Sequence, residues 1–124
     1  MTVREHLEPG PDHPITTTPT AGRVVARVGD TVVADTTAAL TLQESTYPGV
    51  QYLPLADVDG RYLQRTGTHT WCPYKGEASY YSLLVDGTEL TDAVWTYEDA
   101  FPAVAEIAGH VAFHPDRVDV SVEG

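Results

Sequence analysis

A single cysteine in 124 residues excludes an intrachain disulfide and any zinc site built on several thiolates. No apolar run approaches the ~20 residues that a membrane-spanning helix needs, and no signal-peptide apolar core opens the chain. From these absences a cytoplasmic location is expected. Positive charge is scarce: seven Lys and Arg face 18 Asp and Glu, a formal net charge of −11. That balance argues against nucleic acid and against an anionic membrane surface, both of which need a basic footprint. Lysine itself is nearly missing. Lys75 is the only one, three residues from the only thiol, Cys72.

What is present is an ordinary globular balance, 42% hydrophobic and 20% charged, on a chain long enough for one domain with a real core. Residues 1–14, rich in Pro with two His and no apolar period, are expected as a flexible leader reaching to residue 20, with the domain over 21–124. His6 and His13 fall there as solvated tail residues. From residue 23 the pattern turns β. Runs at 23–28 and 31–34 flank Gly29-Asp30, a two-residue hairpin signal. Further strands are expected at 38–43, 50–53, 68–72, 77–85, 90–97, 110–113 and 118–122. Asp86-Gly87 is a second hairpin turn, and Asp57 is a candidate cap for a short helical turn in the irregular 55–65 stretch. One helix is expected after Asp99 as N-cap, with Phe101, Val104, Ala105 and Ala108 on its apolar face and Gly109 as its stop. The expectation is a mostly β fold, a small antiparallel barrel or sandwich, with one short C-terminal helix.

Cys72-Pro73-Tyr74-Lys75-Gly76 enters the strand at 77–85. Pro fits position i+1 of a type I turn and Gly a following position with φ > 0, which makes Cys72 position i and Lys75 position i+3. Their Cα atoms then lie within about 7 Å. An ammonium that close favours the thiolate. The competing expectation is a structural turn with a buried Cys and a solvated Lys.

In this β setting the chain resembles domain-of-unknown-function family 427, which also carries a nucleotidyltransferase label. The matching segments include Arg23-Val24-Val25, Leu42-Gln43-Glu44, Tyr52-Leu53-Pro54-Leu55-Ala56-Asp57-Val58, Thr70-Trp71-Cys72-Pro73-Tyr74-Lys75-Gly76-Glu77-Ala78-Ser79-Tyr80-Tyr81, Val94-Trp95-Thr96-Tyr97 and Val111-Ala112-Phe113. The resemblance implies a small β fold similar to the zinc-binding β-tent architecture. The paired cysteines of those zinc proteins are missing, so it implies no structural zinc here. Nor is there a Gly-Ser element followed by paired Asp residues, the Mg²⁺ site of nucleotidyltransferases.

Two functions compete. In the first, Cys72 and Lys75 form the polar, and in its strongest form catalytic, end of a pocket for a small molecule, anionic or nucleotide-like. Glu44, Tyr52, Asp57, Tyr80 and Trp95 supply carboxylates and aromatic walls, and Arg23 an anion contact. In the second, the domain is a non-catalytic interaction module: seven Tyr and two Trp offer contact area, and sheet edges can pair with a partner or a second copy. Whether a cavity lies beside Cys72 and Lys75 decides between them. A metal site on Cys72 with His69 and His110 or His114 is disfavoured, because i and i+3 on a strand face opposite sides. No cofactor is indicated by any motif.

Overall fold

Period-two alternation and β-branched residues suit a pleated, half-buried surface. In this computed structural model, which describes residues 4–123, they build ten strands. These are β1 (Ile15–Pro19), β2 (Arg23–Val28), β3 (Thr31–Thr36), β4 (Leu40–Glu44), β5 (Val50–Pro54), β6 (Leu63–Cys72), β7 (Gly76–Val85), β8 (Thr88–Thr96), β9 (His110–Phe113) and β10 (Asp119–Glu123). Residues 1–3, part of the expected leader, and residue 124 lie outside the described residues. Seven strands form one sheet in the order β1-β4-β5-β9-β8-β7-β6, and three form another in the order β10-β2-β3. Every strand pairing is antiparallel, as expected of a mostly β chain. The large sheet ends at β1 and β6 without closing on itself, so the form adopted is two-layered and sandwich-like, not a barrel. No helix among the described residues is long and apolar enough to cross a membrane.

The two faces of the large sheet carry different cores. On one face Leu53, Leu83, Val94 and Val111 meet Val24 and Val33 of the small sheet, all fully buried. Each such side chain contributes about 1.5–3 kcal/mol. A few polar links also join the layers: an isolated bridge from Ala34 to Val58, a bond from Asp59 N–H to the Val33 carbonyl at 2.8 Å, and the hydroxyls of Thr36 and Thr31 donating to Asp57 and Asp86. The fully buried apolar cluster between the layers is the larger contribution to the sandwich. On the opposite face a second cluster gathers Leu42, Tyr52, Ala78, Ala112, Tyr97, Val104 and Ile107. The turns are those the sequence implies. Gly29 sits at φ 57°, and Asp86 and Gly87 at 50° and 79°, the conformation of a type I′ hairpin.

Three expectations are corrected. First, residues 15–19, taken as leader, form β1, whose β-branched Thr run pairs with β4 from Ile15–Glu44 to Pro19–Leu40. Pro19 is tolerated because β1 is an edge strand. Before it, the chain lies against the domain: Leu7 N–H donates to the Pro73 carbonyl at 2.9 Å and the Trp71 indole N–H to the Glu5 carbonyl at 2.8 Å. Second, the C-terminal helix does not start at Asp99. Phe101, before Pro102, is extended at φ −61° and ψ 154°, because the residue preceding proline is kept out of the α region. The segment Pro102–Ile107 is 3-10 in character and is broken at Val104, whose φ is −130°. Its buried residues are Val104 and Ile107, three apart as a 3-10 period requires, while Ala105 and Ala108 are exposed. Third, Asp57 caps nothing. It lies inside the turn Leu55–Asp57, which starts at Pro54, and accepts from Thr36 Oγ1 at 2.7 Å. The cap is Asp59, whose carboxylate accepts from Arg61 N–H ahead of the turn Gly60–Tyr62.

Candidate ligand-binding site

The hairpin at 72–76 has the geometry its residues imply. Lys75 N–H donates to the Cys72 carbonyl at 3.3 Å, Cys72 pairs with Gly76, and Gly76 sits at φ 108°. A Cβ on Gly76 would stand 3.4 Å from the Asp99 carbonyl oxygen, so glycine answers both a left-handed backbone and a close approach. Phe101 N–H donates to the Lys75 carbonyl at 3.0 Å, tying the corner to the segment that follows β8.

Lys75 turns inward. Its side chain is only 10% exposed, and its Nζ donates to Glu44 Oε1 at 2.6 Å while lying 5.8 Å from the centre of the Tyr97 ring. Glu44, at the end of β4, accepts on its other oxygen from His13 Nε2 at 2.7 Å. The His13 ring stacks on Tyr74 at 4.2 Å, so the chain ahead of β1 closes over the hairpin. Burial pushes the Glu44 carboxyl up, but the bonds from Lys75 and His13 together outweigh it and hold it below the usual carboxylate range.

Beside this pair the second-cluster face of the sheet is open. A cleft of about 450 Å³ is walled by Leu42, Tyr52, Trp95 and Tyr97, with Glu44 and Lys75 at its polar end. The β4–β5 loop residues Tyr47, Pro48 and Gly49 and, from beyond β9, Pro115 form its rim. Register explains the aromatic wall. Trp95 pairs with Ala112 of β9, and Tyr52 lies on the next strand over, β5, so the two rings lean across an alanine. The Trp95 indole N–H donates to the Tyr52 hydroxyl at 3.1 Å. Burial pushes both the Tyr52 and the Tyr97 phenols well above the usual tyrosine value, so both stay protonated.

The structure brings four of the eight expected residues into this cleft: Glu44, Tyr52, Lys75 and Trp95. Cys72 is half-buried and packs against the same cluster without lining the cleft. Tyr80 also packs there, its hydroxyl 2.9 Å from Thr70 Oγ1. Arg23 is on the small sheet in an exposed two-pronged pair with Asp35, and Asp57 is bound to Thr36. Tyr97, Tyr47 and His13 were missed. Tyr97 is two residues beyond Trp95 and therefore on its face, a signal that period-two reading contains. Nothing local points His13 at Glu44; that needs the pairing of β1 with β4. Among the described residues, no three of His, Cys, Asp and Glu are placed to hold one metal ion.

The fold and site together define a two-layered antiparallel β domain with an aromatic cleft ending in a largely buried Lys–Glu pair. The family described as Domain of unknown function (DUF427) matches residues 16–124, and the chain belongs to it. The match begins within β1, which makes that strand part of the family domain. No curated protein matches the chain.

Proposed function

We propose that this domain binds a small molecule in the cleft at Lys75 and Glu44, and that the hairpin at 72–76 exists to place Lys75 there. The observation that carries this is the siting of the ion pair. Removing a Lys and a Glu from water is costly, and a pair buried only for stability is readily replaced by apolar residues. Here the pair forms the polar end of an aromatic cleft of the size that small ligands occupy, apolar-walled with few polar groups. Cys72, off the cleft lining, favours binding over thiol chemistry, and a free thiol suits a reducing, cytoplasmic setting. A thermal-shift screen of metabolites, nucleotides included, against the wild type and Lys75→Met tests this. A hit that stabilises the wild type and loses its effect in Lys75→Met is expected. If nothing in a broad library stabilises the wild type, the hairpin is a structural corner and the domain an interaction module.

A further inference from the structure

The polar groups of the cleft differ in what they have left to offer. Glu44 is engaged on both oxygens, by Lys75 at 2.6 Å and by His13 at 2.7 Å. Tyr52, 1% exposed, accepts from Trp95, while its own O–H proton has no acceptor among the described residues. Tyr97, 7% exposed, lines the cleft, and its hydroxyl bonds to no described residue. No side-chain polar atom that is itself sealed from solvent lacks a partner among the described residues, so the Tyr97 oxygen, on a residue that lines the cleft, is open to solvent. Lys75 has three N–H donors and uses one on Glu44. The cleft thus presents unused donors from two phenols and an ammonium, while each Glu44 oxygen already holds a partner.

Charge narrows the ligand further. An anion that took a Lys75 N–H would stand beside Glu44, in a chain of net charge −11. A cation drawn to Glu44 would stand beside the Lys75 ammonium, whose Nζ lies 2.6 Å from Glu44 Oε1. A neutral acceptor suffers neither penalty, and its apolar body suits Leu42 and Trp95.

Resting on the cleft's being a small-molecule site, we propose that it selects an uncharged carbonyl compound with an apolar ring body, its oxygen accepting from the Tyr97 hydroxyl with Tyr52 and Lys75 as neighbouring donors. This replaces the anionic or nucleotide-like ligand that the sequence suggested.

Four compounds sharing one bicycle test it: 1-tetralone, tetralin, 1-aminotetralin and tetralin-1-carboxylate. Each is titrated at neutral pH into ¹⁵N-labelled protein. The Trp95 indole N–H signal, assigned with a Trp71→Phe variant, reports on the bond to Tyr52. The ketone is expected to bind about tenfold tighter than the other three, the value of one good hydrogen bond. Tyr97→Phe is expected to remove that advantage while leaving tetralin unchanged, and a melting curve checks that the variant folds. Tighter binding of the acid or the amine, or a ketone preference intact in Tyr97→Phe, overturns the carbonyl assignment but leaves a ligand in the cleft. Silence of Trp95 towards all four also overturns it, and only an empty broad screen removes the small-molecule site itself.

Discussion

Replacing Lys75 by Met keeps the apolar stem and deletes the charge, leaving Glu44 with His13 as its remaining partner. The cost follows from burial. Exposed pairs are worth about 0.2–1 kcal/mol, whereas breaking a fully buried pair costs about 3–5 kcal/mol. The Lys75 and Glu44 side chains are 10% and 17% exposed and border an open cleft, which places them between these limits. We expect a loss of about 2 kcal/mol, or roughly 8 °C in Tm for a domain of this size. The loss has a definite pH signature. Glu44 has a folded pKa below its unfolded value, so its contribution is present above the unfolded value, about 4.3, and is lost as pH falls through the folded one. Without Lys75 the burial penalty on the carboxylate is less opposed and its pKa rises. The gap between variant and wild type should therefore narrow as pH is lowered from 7 towards 4. Urea unfolding at several pH values measures this, with Glu44→Gln and the double variant completing a cycle. A single-variant loss under about 0.5 kcal/mol, or additivity within about 0.5 kcal/mol, would refute the coupling.

Gly76→Ala forces a Cβ into a left-handed backbone 3.4 Å from the Asp99 carbonyl, so a loss of about 1–3 kcal/mol is expected in urea unfolding; an unchanged midpoint would contradict it. Thr36→Val removes the donor to Asp57 and the acceptor for Ala38 N–H, and should cost about 1–3 kcal/mol by thermal melting. Cys72→Ser should bind any cleft ligand within about twofold of the wild type, since under 0.5 kcal/mol separates a wall residue from a neighbour that does not touch the ligand. A tenfold loss in a titration would put Cys72 in the site.

Local chemistry made much of this fold legible. Gly29-Asp30 and Asp86-Gly87 marked their hairpins because positive φ is tolerated by so few residues. Cys72 to Gly76 gave away a third for the same reason. Alternation placed Tyr80 with Ala78 on one face of β7 and Tyr81 with Leu83 on the other, as found. Where local and long-range forces disagreed, the sequence misled. The apolar spacing from Phe101 to Ala108 fits an α-helix, but Pro102 forbids its first turn at Phe101. The Thr run at 16–18 carries no apolar alternation and forms a strand only because β4 offers an edge. Site residues divided similarly. Glu44, Tyr52, Lys75 and Trp95 converge through strand pairing, which also sends Arg23 to the other sheet, where Asp35 takes it.

The pleat of the large sheet has an evolutionary corollary. Tyr52 faces the cleft and its neighbour Leu53 the sandwich; Trp95 and Val94 divide the same way. Alternate residues on β5 and β8 thus sit in different surroundings. One set lines the cleft, the other packs between the layers. On the proposed reading, family members are expected to vary the cleft set while the interlayer set stays put, so a family alignment should show a period of two along β5 and β8.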